Sequence, residues 1–126
     1  MKKDTWFRAI VLLAYMGFIF ILSSIPGREI PSALSSYDKL IHFFLYLVLG
    51  LIFTYFLSGL KSGLAQIIVG FATFFFIAIY GLSDEVHQTF TPGRVFEVLD
   101  IVTDMLGGIT GWLLFQFFCA VMRDSF

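Results

Sequence analysis

Along the chain, apolar positions neither alternate nor return every third or fourth place. They run on in four blocks, Phe7 to Ile25, Ile41 to Ser58, Leu64 to Leu82 and Val98 to Met122, separated by short polar stretches. Each block approaches or exceeds the roughly 20 residues that carry a helix across the hydrocarbon core of a bilayer. The unbroken apolar runs differ from the one-faced pattern of a soluble amphipathic helix. The expected fold is an all-α membrane protein with four transmembrane helices, forming one domain over residues 1–126. The first block follows Lys2 and Lys3 and closes on Ser23 and Ser24, in the outline of a secretory signal. Its apolar stretch exceeds the ~7–15 residues of such a signal, so it reads as a retained helix.

The connections agree with this division. Ser58 to Gly63 (SGLKSG) is a short glycine-bounded turn that makes the second and third helices antiparallel neighbours. Pro26 and Pro31 punctuate the first connection, and Thr91-Pro92-Gly93 the third. Composition points the same way: 59% of the residues are hydrophobic, 19% aromatic and only 13% charged, well above the roughly 45–50% apolar content of a soluble domain. The phenylalanine runs read as lipid-facing or packing side chains, and without a basic patch they exclude a nucleic-acid platform. The single Cys119 excludes an intramolecular disulfide.

Charge separates the two ends of the helices. With a cytoplasmic N-terminus, the inner side carries Lys2, Lys3, Arg8, Lys61 and Arg123 against Asp4 and Asp124. The outer side carries Arg28, Lys39 and Arg94 against Glu29, Asp38, Asp84, Glu85, Glu97, Asp100 and Asp104. The bias of basic residues favours both termini in the cytoplasm, in a multi-pass protein of the cell membrane. Nearly all the acidic chemistry then falls on the outer face. Asp38, His42 and Tyr46 are spaced four apart on one helical face, as are Asp100 and Asp104. Asp104 lies two turns inside Glu97, where an ionised carboxylate facing lipid would cost several kcal/mol. It should face the bundle or a wet cavity, with Arg94, Lys39, His42 or His87 as partner.

Three segments, DKLIHFFLYLVLG from Asp38, YGLSDEVHQTFTPGR from Tyr80 and DIVTDMLGGITG from Asp100, together with SSIPG from Ser23, resemble the motifs of VanZ-like membrane proteins in order and spacing. One position departs from that pattern: Asp104 stands where an asparagine is usual. The resemblance implies a small multi-pass membrane protein of a family named for a member associated with low-level resistance to the glycopeptide teicoplanin. It implies no agreed reaction.

Three functions compete. An enzyme at the outer interface would act on a membrane lipid or lipid-linked cell-envelope precursor. Lys39, Gln88, Arg94 and Asp100 would bind the substrate, while His42, Asp84, Glu85 and His87 would be the catalytic candidates. Imidazoles titrate near neutrality, and adjacent acids can orient them. A binder would hold the same ligand without chemistry. A structural protein would use the charges only to tie helix ends: Asp38 as a cap, Lys39 reaching for headgroups, and Arg94 paired with an acid. No nucleophile elbow, zinc-protease helix or Walker loop is present. Ser24, Ser83 and Thr91 read as caps or turn residues. Asp38, His42, Asp84, Glu85, His87, Asp100 and Asp104 hold donors suited to magnesium, manganese or zinc, but charge pairing produces the same clustering, and no cofactor is assigned. Gly107 and Gly111 permit close helix approach, to a neighbour within the chain or to a second copy in an oligomer.

Overall fold

The computed structural model describes residues 3–60 and 65–124. Four long helices make the body: α1 (Lys3–Ser23), α3 (Asp38–Leu60), α4 (Gln66–Gln88) and α5 (Val98–Asp124). A one-turn helix, α2 (Ser32–Ser35), lies in the first connection, just after a 3-10 turn over Gly27–Glu29. All four long helices are long and apolar enough to span a membrane, and no strand occurs among the described residues. Helices are the expected solution, because backbone N–H and C=O groups find no partner in lipid except along the chain itself.

The boundaries differ from the hydropathy blocks chiefly in α4, which continues six residues past Leu82 to Gln88. Charges end an apolar run but do not end a helix. The helix ends at Gln88 and the backbone turns over residues 89–93, where Gly93 takes φ +75°, a left-handed conformation that glycine adopts without steric cost. Similarly, α3 begins at Asp38 rather than Ile41. Ser58 to Leu60, expected to open the turn, are helical; the rest of that turn with Lys61, the start of the third block at Leu64, and Lys2 lie outside the described residues.

The bundle is inside out. Its buried positions include six hydrophobic residues but eleven polar or charged ones, whereas Trp6, Phe7, Phe71, Phe75, Leu106 and Phe117 are exposed. Lipid offers no hydrophobic drive for helices to associate, so close packing and interhelical hydrogen bonds must do it. Tyr15 Oη donates to the Leu45 carbonyl at 2.9 Å, and Tyr80 Oη to that of Met16 at 2.6 Å. Thr54 and Thr73 join hydroxyls at 3.3 Å. At the opposite end from the acidic cluster, Arg8 reaches the Tyr55 carbonyl at 2.8 Å and lies over the Tyr55 ring, 4.0 Å from its centroid.

The most extensive contact is between α3 and α5, and it is made backbone to backbone. A Cβ at Gly107 would land on the Phe43 carbonyl, one at Gly111 on that of Leu47, and one at Gly50 on that of Gly108. The neighbour admitted by Gly107 and Gly111 is therefore the chain's own second span.

Candidate functional site

The antiparallel course brings the C-termini of α1 and α4 and the N-termini of α3 and α5 to one end of the bundle. Two backbone contacts fix the connections there: the Gly27 N–H donates to the Pro92 carbonyl at 2.9 Å, and the Thr91 hydroxyl to that of Ser23 at 3.2 Å. Under these connections lies the acidic cluster. His42, Asp84, Glu85, Gln88, Asp100 and Asp104 are all buried, with Glu85 and Asp104 wholly inaccessible.

His42 stands at its centre. Its Nδ1 pairs with Asp104 Oδ1 at 2.8 Å, so one of the candidate imidazoles is the partner that Asp104 required. Its Nε2 faces Asp100 Oδ2 at 3.8 Å and Asp38 Oδ1 at 4.0 Å, and Tyr46 stacks alongside with ring centroids 6.4 Å apart. The expected face of Asp38, His42 and Tyr46 is thus present. Gly81 makes room for the carboxylate: a Cβ there would lie 2.9 Å from Asp104 Oδ2, an oxygen that has no hydrogen-bond partner.

Asp84 accepts from Ser23 Oγ in a very short hydrogen bond and from Tyr46 Oη at 3.3 Å. Glu85 Oε2 accepts the Glu97 backbone N–H at 2.9 Å, capping the start of α5 from a different helix, and Oε1 is buried without a partner. Lys39 is fully engaged by acids. Its ammonium pairs with Glu97 at 2.5 Å, with Asp100 at closer range and with Asp38 at 3.7 Å. Arg94 differs, since the one hydrogen bond of its guanidinium among the described residues is a long one of 3.4 Å to the Ile25 carbonyl.

His87 stands apart from the other candidates. On a continuous α4, Asp84 and Gln88 share a face with Glu85 beside them, while His87 turns toward α1. There it stacks on Phe20, with ring centroids 4.2 Å apart, and its Nε2 meets Ser24 Oγ at 2.9 Å. Neither Asp84 nor Glu85 orients it. Ser24 already donates its only proton to the Phe20 carbonyl at 2.8 Å, so it accepts from His87 and is not arranged as an activated nucleophile.

A cleft of about 190 Å³ opens beside His42 between α1, α3 and the first connection. Its lining combines the aliphatic Ile19, Leu22, Ile25, Ile41 and Leu45 with His42, Asp84, Gln88 and Arg94. A second recess shares Asp38, Gln88 and Arg94 with it and adds Glu97 and Asp100. Of the sequence candidates, His42, Asp84, Gln88 and Arg94 line the cleft, Asp100 the neighbouring recess, and Glu85 and Lys39 support the cluster. Ser23, Tyr46 and Asp104 were not among the catalytic and binding candidates, although each touches one of them. For Ser23 the available signal was its place in the SSIPG segment.

Four helices able to span a membrane, with a buried ionisable cluster at one end, define a small polytopic membrane protein. The chain matches the VanZ/LLP1 family over residues 5–119, nearly its whole length, and it belongs to that family. No curated protein and no solved structure matches it.

Proposed function

We propose that this protein binds an anionic amphiphile, a membrane lipid or a lipid-linked cell-envelope precursor, at the outer face of the cell membrane. The observation that carries this reading is the mixed lining of the cleft, aliphatic side chains together with His42 and Arg94. Aliphatic side chains of α1 and α3 suit an acyl or polyprenyl chain, and Arg94 supplies the positive charge for its head. At about 190 Å³ the cleft takes a head group rather than a whole lipid, so the tail would continue into the bilayer. Arg94 is the anion-gripping residue, because Lys39 is neutralised by three acids while the guanidinium keeps most of its five donors. The bias of basic residues supports cytoplasmic termini and hence an outward cleft. Through a lipid-linked envelope precursor the protein would bear on teicoplanin susceptibility.

Turnover of the bound amphiphile is the second reading, favoured by the His42–Asp104 pair at 2.8 Å. A carboxylate that orients an imidazole is how a general base is held.

The test is the lipid retained through detergent purification, measured by mass spectrometry for the native protein and Arg94→Lys. Loss of one charged hydrogen bond costs about 1.4 kcal/mol or more, so retention should weaken about tenfold at unchanged abundance. Equal retention would remove Arg94 from the site. A covalently altered lipid found only in cells carrying the native protein would establish turnover.

A further inference from the structure

We infer that His42, Asp84 and Glu85 form a binding site for a divalent transition-metal ion beneath the cleft. One potential ligand atom from each of the three lies within 4.8 Å of the others, and all three residues are buried. A second triad, Asp38, His42 and Asp100, meets the same distance limit and shares the imidazole. His42 is therefore the point where carboxylates from α3, α4 and α5 come together.

Acidic clustering alone would be poor support, but Glu85 supplies an independent observation. Its side chain is 0% exposed and Oε1 has no hydrogen-bond partner. A carboxylate oxygen taken out of water and left unpaired carries the full penalty of its desolvation. It calls for a cation or a proton. The charges nearby make the same demand: Asp38, Asp84, Glu85, Glu97, Asp100 and Asp104 supply six carboxylates, against Lys39, Arg94 and at most one charge on His42. Lys39 is placed to balance Glu97 and Asp100, and Arg94 lies over the cleft, so neither reaches the Glu85 oxygen in a hydrogen bond or ion pair.

His42 is already held as a ligand would be. Asp104 takes Nδ1 at 2.8 Å, the carboxylate behind the ring that fixes metal-bound histidines and increases their basicity, and this leaves Nε2 for the ion. In the second triad, Asp100 Oδ2 and Asp38 Oδ1 lie 3.8 and 4.0 Å from Nε2, little farther than the ~3–3.5 Å between ligands of an ion bound at about 2.1 Å, whereas the ligand atoms of His42, Asp84 and Glu85 fall within 4.8 Å of one another and must close by about 1 Å on an ion. One imidazole with two carboxylates suits zinc or manganese, since an all-oxygen shell would be the choice of calcium or magnesium.

The ion would also resolve a conflict in the cleft. Glu29, Asp38 and Asp84 line it with Arg94 as their counterweight, a poor setting for a phosphate unless positive charge lies beneath. That consequence rests on the amphiphile reading, whereas the metal site does not.

The experiment uses full-length protein in detergent, stripped with a chelator and titrated with Zn2+ and Mn2+, with bound metal measured by mass spectrometry and the thermal midpoint followed. The native protein should take up about one equivalent and melt higher. His42→Gln and Glu85→Gln should bind at least about tenfold more weakly, while His87→Gln, outside the triad, should match the native protein. Absence of stoichiometric uptake, with a midpoint unmoved by either metal, overturns the site and means that protons balance the cluster; because it concerns the native chain, that result does not depend on whether a variant folds. Undiminished binding by Glu85→Gln overturns it equally. A short-chain phosphatidylglycerol is then added with and without metal. If lipid binds to protein that takes no metal, this inference alone fails; if metal binds and lipid does not, the amphiphile reading alone fails.

Discussion

Replacing Asp104 separates two contributions that the cluster combines. In Asp104→Asn the carbonyl oxygen still accepts from His42 Nδ1, now 2.8 Å from Asp104 Oδ1, and the shape is unchanged. The hydrogen bond loses its charge, which weakens it by about 1 kcal/mol. Against this, the variant no longer places a carboxylate at a position with no exposure, where the effective penalty is several kcal/mol per ion. The oxygen beside Gly81 is already unpartnered, so an amide there adds no new unpaired site. The net effect should be unchanged stability or a gain of up to about 2 kcal/mol. Asp104→Ala does the opposite: it leaves Nδ1 of the buried imidazole without its partner, at a cost of about 3–5 kcal/mol. Thermal unfolding in detergent, with membrane abundance as a check, should rank Asn at or above the native protein and Ala well below it. A sharp loss with Asn would show that the negative charge itself holds His42, and a neutral Ala would show that the pair carries no structural weight.

Two further predictions concern topology and packing. In a background with Cys119→Ser, single cysteines replacing Asp4 and Val95, both exposed, should react oppositely with an impermeant thiol reagent added outside cells, the second labelling and the first not; labelling at Asp4 would reverse the orientation. Gly107→Ala drives a methyl into the Phe43 carbonyl and should cost about 1–3 kcal/mol, while Gly17→Ala, with nothing within 4 Å, should be neutral or gain up to about 1 kcal/mol from helix propensity; equal midpoints would refute the glycine seam.

The spans could be read from the sequence because lipid demands long apolar helices whatever their partners. The spacing of Asp38, His42 and Tyr46 was equally legible, since residues four apart meet on any helix. The end of α4 was less so: hydropathy falls at Ser83, but the helix continues to Gln88 before the backbone turns over residues 89–93. Asp84 and Glu85 thereby enter the bundle as helical side chains. The isolation of His87 depends on how α4 is rotated against α1, which no local pattern encodes. The same holds for Ser23 and Asp84, which meet across 61 residues, and for Lys39, whose ammonium pairs with Glu97 and Asp100 at the start of α5 as well as with its neighbour Asp38. Gly107 and Gly111 signalled a close approach without naming the neighbour, because a small-residue stripe fits either a helix of its own chain or one of another.

The glycine seam between α3 and α5 leaves those two helices no slack. Where backbones touch, there is no flexible side chain to absorb a separation, and packed interfaces resist gradual deformation. His42, Asp100 and Asp104 therefore ride on a single stiff unit. α1 is held differently, by the Tyr15 hydroxyl on the Leu45 carbonyl of α3, by the Tyr80 hydroxyl of α4 on its own Met16 carbonyl, and by the Gly27–Pro92 latch just past its end. It contributes Ile19, Leu22 and Ser23 to the cleft wall. A ligand too bulky for the cleft would therefore meet an unyielding wall in α3 with α5, and would have to displace the side-chain contacts of α1 instead.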